Sequence, residues 1–259
     1  MNGEDMVSVI MPSYNCGRFV EETIRSVQAQ TYKNWEIIFM DDCSTDDTIK
    51  LVSALREEDP RIHLYQNVSN MGAAVSRNNA IREAKGRWIA FLDSDDLWTP
   101  DKLEHQIKFM EDNGYYFSCT ERDNIDEDSR PTGKYESGPF HISKAGMYLY
   151  CWIGCLTVMY DSTKVGLIQV ADLKKNNDYA MWLKVIKKAD CYLLKECLAH
   201  YRVRKGSISH DRLGKLIQSH YLLFRVGENM NPIKATYYTI LNLFGGVYKQ
   251  LVYVKRHVK

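Results

Sequence analysis

Three aspartates carry the densest chemistry in the sequence. Asp93, Asp95 and Asp96 follow the apolar run Arg87-Trp88-Ile89-Ala90-Phe91-Leu92, with only Ser94 interrupting them. Residues 87–92 read as one buried strand, bounded by Gly86 before and by acids after. Carboxylates this close repel one another unless a cation or a donor network compensates, so the spacing suggests a divalent metal that itself holds phosphates. An Asp-x-Asp alone also caps helices or faces water, so its meaning depends on what else reaches the same place. Two further acidic sites are candidates: Asp41-Asp42, after the apolar run 35–40, and Asp178, which opens a helix behind Asn176-Asn177. An acid at that last position can serve the helix dipole or act as a base.

The elements that position these acids alternate. Residues 7–11 form a short strand stopped by Pro12, and Ser13-Tyr14-Asn15 turns into a helix whose Val20, Ile24 and Val27 recur at helical spacing. The strand at 35–40 runs into Asp41-Asp42. Ser44, with Asp47 three residues on, then caps a helix that buries Ile49, Val52 and Leu55. A strand at 62–65, a helix at 73–85 ended by Gly86 and the strand at 87–92 complete the series. Such alternation predicts a parallel α/β sheet, and ligands bind such sheets beyond the carboxyl ends of the strands. Pro12-Ser13-Tyr14, Asp41-Asp42 and residues 93–96 should therefore converge on one crevice.

Further on, Thr99-Pro100 reads as a helix start with Leu103, Ile107 and Met110 inward, and 115–120 as a strand. The polar stretch 121–138 reads as a surface connection and 153–160 as a strand-like run. The helix opened by Asp178 buries Trp182, Val185 and Ile186, and a strand comes next at 191–194. Near the C-terminus Tyr237, Ile240, Leu241, Phe244, Tyr248, Leu251 and Val252 recur at three- and four-residue spacing, accompanied by Lys249, Lys255, Arg256 and Lys259. A packed helix accounts for that pattern, and so does a helix lying in a membrane interface.

Composition bounds the function. The 259 residues, 45% hydrophobic, can bury one large domain with a smaller appendage. Seven cysteines without a CxxC pair predict reduced thiols in a cytosol and no zinc. A signal core and an eighteen-residue apolar run are both absent, so neither a secretion signal nor a membrane span is expected. The net charge of +1 hides an asymmetry: residues 202–259 hold eleven Lys or Arg against Asp211 and Glu228, a surplus of nine, leaving the preceding residues eight acids in excess. A basic tail without accompanying aromatic or motif signals argues against nucleic acid and favours an anionic membrane surface.

Five ordered motifs carry a family resemblance: Val-Ser-Val-Ile-Met-Pro-Ser-Tyr-Asn at 7–15, Met-Asp-Asp-Cys-Ser-Thr-Asp at 40–46, Ser-Arg-Asn at 76–78, Phe-Leu-Asp-Ser-Asp-Asp at 91–96 and Asn-Asp-Tyr-Ala-Met-Trp-Leu at 177–183. Together they resemble the family-2 glycosyltransferases of GT-A fold, in particular bacterial enzymes that build capsular or cell-wall polysaccharide. The likeness runs from about residue 7 to residue 209 and includes Gly154-Cys155-Leu156-Thr157-Val158-Met159 and Tyr201-Arg202. It implies a Rossmann-like, mostly parallel sheet flanked by helices over residues 1–211, with a helical extension over 212–259.

The resemblance also assigns roles. Asp42 matches the family residue that accepts the imide N–H of uracil, Pro12 and Tyr14 line the base, and Asp41 holds the ribose or the loop. Arg77 matches an arginine near the nucleotide, where it can serve phosphates or pair with carboxylates. Asp93 and Asp95 match the family's DxD, Asp95 for direct contact with Mn2+ or Mg2+ and Asp93 for the ribose or a metal-bound water. Asp178 falls where the family keeps its general base, implying single displacement with inversion. Many relatives carry an acid at the position of Asn177 and a histidine at that of Arg204. Arg202, Arg204, Lys205 and Gly154 are then candidate diphosphate or acceptor contacts, His210 is a substitute ligand, and Trp98 is the best placed of Trp88, Trp98 and Trp152 to stack on a sugar. The resemblance further implies a UDP-sugar donor, a glycan or lipid-linked acceptor and a place at the cytoplasmic leaflet. Two other classes fit less of the pattern: a non-catalytic nucleotide-sugar-binding subunit, which would not need Asp178, and a nucleotidyltransferase, whose phosphate loop Ser13-Tyr14-Asn15-Cys16-Gly17-Arg18 matches poorly.

Overall fold

Alternation in the first ninety residues builds the parallel heart of the sheet. In the computed structural model, which describes residues 5–204 and 213–256, β1 (Val7–Ser13) pairs in parallel with β2 (Trp35–Asp41) and with β4 (Trp88–Phe91), and β2 pairs with β3 (Ile62–Gln66). The resulting order β3-β2-β1-β4 is crossed by α1 (Val20–Gln28), α2 (Thr48–Glu58) and α3 (Ala73–Glu83). All seven residues of β1 and of β2 are buried, as expected of strands covered on both faces. Side chains alternate between two cores: Val9, Met11, Ile37 and Phe39 face α1 and α2, while Ile10, Ile38 and Met40 face α3.

Beyond β4 the sheet becomes mixed. β5 (Leu97–Trp98), α4 (Lys102–Asn113), β6 (Phe117–Ile125), β7 (Pro131–Glu136), β8 (His141–Ile142) and α5 (Lys144–Leu149) lead to β9 (Met159–Asp161), which pairs antiparallel with both β4 and β6. Next come α6 (Ser162–Val165), α7 (Asn177–Val185) and the long β10 (Cys191–Arg202), which runs parallel to β6. Two expectations are corrected here. Residues 121–138 are not a surface connection: β6 continues through Ile125 and forms an antiparallel pair with β7, a polar strand that is exposed at Pro131 and Thr132, half-buried over 133–135 and buried at Glu136. Within 153–160, a 3₁₀ turn at Cys155–Thr157 precedes the strand, which begins only at Met159. All seven cysteines are free, most of them buried or in strands.

The domain boundary expected at residue 211 lies outside the described residues, as do Lys205, His210 and Lys259. The C-terminal elements share the core of the domain: α8 (Leu213–Leu222), a π-helical stretch at Leu223–Gly227 and α9 (Pro232–Val252) bring Leu223, Phe224 and Ala235 into the α3 and α7 side, and β11 (Val254–Arg256) adds to β7. α9 packs through a seam of small and polar residues, Ala235, Thr239, Asn242, Gly245 and Lys249. From that seam Asn242 Nδ2 donates to the Tyr148 carbonyl at 3.0 Å, a group that the end of α5 would leave open, and Lys249 Nζ to the Trp152 carbonyl at 3.0 Å in the loop beyond it. A Cβ at Gly245 would stand 2.7 Å from Tyr150 Cβ and 2.9 Å from the Leu149 carbonyl oxygen. Gly245→Val is therefore expected to force the helices apart, cost about 1–3 kcal/mol and lower the melting temperature by roughly 2–10 °C. On a helix face with room for a side chain, replacing glycine would instead stabilise by up to about 1 kcal/mol, so a raised melting temperature would refute the close seam.

Candidate active site

The strand ends converge as the α/β order requires. Where β1 ends, the Asn15 N–H donates to Ser44 Oγ at 2.8 Å, the Asn15 side-chain oxygen accepts the Thr45 N–H at 2.8 Å, and the Gly17 N–H donates to Asp46 at 2.9 Å. These bonds lock the turn after β1 to the loop after β2. Asp46 thus joins the two loops and also accepts the Thr48 N–H at the start of α2, a role the capping pattern of Ser44 and Asp47 did not indicate. Pro12 is buried beneath this turn and Tyr14 projects from it, 47% exposed.

The two acids at the end of β2 behave differently. Asp41 accepts the Ser44 N–H at 2.9 Å on one oxygen, while its other oxygen is buried without a partner. Asp42 holds the loop after β3: its oxygens accept Asn67 Nδ2 at 2.8 Å, the Met71 N–H at 2.8 Å and the Gly72 N–H at 2.7 Å. A carboxylate offers about four acceptor positions, so one remains for another donor. Asn67, which also donates to Ser76 Oγ, belongs to this network, and no periodicity marked it.

At the end of β4 each acid has its own partner. Asp93, its side chain 39% exposed, accepts from an Arg77 guanidinium nitrogen at 2.9 Å. Asp95 pairs with Arg204 Nε at 2.8 Å, and buried Asp96 accepts the Arg202 backbone N–H at 2.8 Å. Burial pushes the Asp95 carboxyl above the usual carboxylate range, with Arg204 opposing and Asp93 adding to the rise. Burial holds Asp96 well above that range, and the charges of Asp95 and Asp93 act in the same direction. The cluster is thus compensated by arginines and a backbone donor, the network that such spacing demands.

Arg77 is the element that ties the site together. Its buried guanidinium donates to Asp93 on one side and to the Asn177 side-chain oxygen on the other, leaving Nε without a partner. Asp178, next to Asn177 in the first turn of α7, accepts the Tyr179 N–H at 2.8 Å. Burial raises its carboxyl above the ordinary value, partly offset by Arg77. The arginine therefore pairs with neither Asp41 nor Asp42; it links Asp93, beyond the end of β4, to Asn177 at the start of α7.

Four candidates are corrected. Trp98 is 3% exposed, donates its indole N–H to the Leu156 carbonyl at 2.8 Å and lies under Lys102, so it is a core residue rather than a sugar platform. Trp88 and Trp152 are likewise buried. Arg202 has no exposed side-chain surface and is held by the Asp95 carbonyl, Ser129 Oγ and Glu22, so it is closed off from a diphosphate. Arg204 remains partly exposed and available. Gly154 starts the 3₁₀ turn and lies against Arg122, whose Nε would be 3.1 Å from an added Cβ.

No group of three or more His, Cys, Asp or Glu among the described residues is arranged to hold a metal alone. Small hard cations are also bound by one or two carboxylates together with substrate phosphate oxygens. Asp93 and Asp95, oxygen donors at a strand end with 39% and 16% of their side-chain surfaces exposed, fit that arrangement.

Residues 8–159 match the family model described as Glycosyl transferase family 2. TuaG of Bacillus subtilis (strain 168), named for teichuronic acid biosynthesis, is 39% identical over 251 residues, covering 96% of this chain and 99% of its own. WfaP of Escherichia coli, named as a UDP-Glc:α-D-GlcNAc-diphosphoundecaprenol β-1,3-glucosyltransferase, is 40% identical over 224 residues, 86% of this chain and 87% of that one. Among solved structures, S. aureus TarS 1-349 in complex with UDP-GlcNAc gives a TM-score of 0.73 at 19% identity, covering 95% of this chain and 74% of the other. The mannosyltransferase PcManGT of Pyrobaculum calidifontis, in complex with GDP-Man and Mn2+, gives 0.66 at 18% identity over 92% and 69% of the two chains. Both structural likenesses are likenesses of fold.

Proposed function

The chain belongs to glycosyl transferase family 2, and from that premise we propose an inverting, metal-assisted transfer of a sugar from a UDP-sugar to a hydroxyl of a lipid-linked glycan at the cytoplasmic leaflet. The observation that supports this reading is the Arg77 guanidinium, which donates both to Asp93, beyond β4, and to Asn177, the neighbour of Asp178 in α7. Relatives of 39% and 40% identity, named for teichuronic acid biosynthesis and for glucosyl transfer to a diphosphoundecaprenol-linked sugar, support the lipid-linked acceptor.

The chain's own residues divide the work. Asp178 takes the proton from the acceptor hydroxyl as that oxygen bonds to the anomeric carbon, while the bond from that carbon to the diphosphate oxygen breaks on the opposite face. Burial, by lifting this carboxyl above its ordinary value, makes it a better proton acceptor than a solvated aspartate. Arg77 fixes the separation of the two halves of the site, and Arg204 can turn from Asp95 to the leaving diphosphate. Asp42 uses its remaining acceptor position for the uracil imide, with Pro12 and Tyr14 beside the base. Mn2+ or Mg2+ held by Asp95 and Asp93 would neutralise charge on the departing nucleoside diphosphate. α9 faces the leaflet: Ile233, Phe244, Val247 and Leu251 are each more than 60% exposed while its small residues face inward. Among the described residues no helix is long and apolar enough to cross a membrane.

A panel of nucleotide sugars tests the donor side. UDP at a hundred times its dissociation constant, with Mn2+ or Mg2+, is expected to add about 2.7 kcal/mol of stability, a rise of roughly 5–10 °C in melting temperature. Asp95→Ala should lose the metal-dependent part of that shift. A full shift in the variant would remove Asp95 from the metal, and equal stabilisation by GDP would remove Asp42 from base reading. Wild-type protein that binds donor yet transfers to no acceptor would be the non-catalytic subunit.

A further inference from the structure

A groove of about 1370 Å³ lies between α5 and α9, outside the crevice at the strand ends. Tyr148, Tyr237, Tyr238 and Leu241 are among the residues that line it, and Lys144 and Lys234 stand on it from opposite helices. Both lysines are exposed, and no ion pair involves either of them among the described residues. An apolar floor with two uncompensated ammonium groups complements one ligand chemistry: a long hydrocarbon chain ending in phosphate.

Position narrows the choice further. On one side the groove continues into the outward apolar face of α9, since Tyr237 belongs to both. Behind it, α5 touches the catalytic helix: the Tyr179 hydroxyl, one residue from Asp178, donates to the Met147 carbonyl at 2.6 Å. α5 thus packs on one side against the helix that carries Asp178 and lines the groove on the other. We infer that this groove holds the phosphate-bearing end of the acceptor's isoprenoid-type lipid, so that a lipid drawn from the leaflet presents its sugar to Asp178. The inference rests on the lipid-linked acceptor proposed above, and deepens it by naming where the lipid sits.

Photolabelling of the full chain with a benzophenone-bearing farnesyl phosphate, followed by peptide mapping, tests the assignment. Labels are expected on residues 144–149 and 229–241, with competition by farnesyl phosphate but not by farnesol or inorganic phosphate. The double variant Lys144→Glu, Lys234→Glu, checked for folding by its melting temperature, should need about 10- to 30-fold more probe for half-maximal labelling. Lys144→Gln, Lys234→Gln should fall in between, and keeps the test if the charge reversal disturbs the fold. Labels outside the groove, equal labelling of the variants, or equal competition by inorganic phosphate would overturn it. No labelling, in a protein that still transfers to a lipid-linked acceptor, overturns the groove alone. No labelling together with transfer only to water-soluble glycans overturns the lipid-linked acceptor as well.

Discussion

Asp178→Asn is expected to lower sugar transfer by about 10²–10⁴-fold while UDP-sugar binding changes little, because a general base acts on the acceptor proton and does not hold the donor. Donor affinity from thermal shift and turnover from product release should therefore separate. The pH profile gives a second readout. Burial raises the Asp178 carboxyl above its ordinary value of 3.8, so the acidic limb of kcat/KM should lie above that of a solvated aspartate, activity growing as the proton leaves, and the limb should vanish in the variant. Stability must move the other way. A carboxyl whose folded value is raised contributes stability at pH below its unfolded value and loses that contribution as pH rises through the folded value. At about pH 8 the wild type holds a charge that the half-buried position of Asp178 disfavours and that the neutral asparagine side chain lacks, so the variant should melt no lower than the wild type there. Near-normal transfer, or an acidic limb that survives the substitution, would assign the base elsewhere.

What the sequence made legible was whatever periodicity and strand ends encode. Buried strands such as 35–40 announce themselves by continuous apolar runs, and the acids after them had to meet at one edge of a parallel sheet. Long-range pairing has no such signature. Nothing near Arg77 shows that its guanidinium reaches Asp93 and Asn177 together, a hundred residues apart along the chain for the second contact. Arg202 follows a tyrosine in a polar, basic segment that reads as surface, yet it is fully buried because carbonyls and Glu22 around it need a five-donor group. Trp98 comes after three acids and so looked like part of a binding rim; its indole instead fills the gap between β5 and the 3₁₀ turn. β7 was invisible for a different reason: Pro-Thr-Gly-Lys-Tyr-Glu has only one large apolar side chain and is exposed or half-buried up to Glu136, so no alternating apolar face marks it as a strand.

Serine at Phe244, Val247 and Leu251 is expected to reduce flotation with anionic liposomes by about 10³-fold in partition coefficient, more than any change of salt. The apolar term decides this. These side chains are 70%, 61% and 79% exposed, and an inserted side chain of this size contributes about 1.5–3 kcal/mol, so three partly inserted ones account for roughly 4 kcal/mol. Charge supplies less than the sequence pattern suggested. Of the four cations noted near the C-terminus, Lys249 is turned inward to the Trp152 carbonyl and lies 3.6 Å from Glu136, leaving Lys255 and Arg256 exposed among the described residues. At about 1 kcal/mol each near an anionic surface, those two provide about 2 kcal/mol that high salt would screen. Flotation should accordingly weaken with salt or with neutral lipid but persist, and disappear only with the apolar face. Truncation after Asn231 would not isolate this face, because it removes Ala235 from the core together with the bonds of Asn242 and Lys249 to the α5 region, and the protein is expected to unfold. The serine variant leaves that inward seam intact and should keep the wild-type melting temperature. If it floats as well as the wild type, α9 does not meet the bilayer; if the wild type ignores liposomes and only the variant stays monomeric, the outward face is an interface between protein chains.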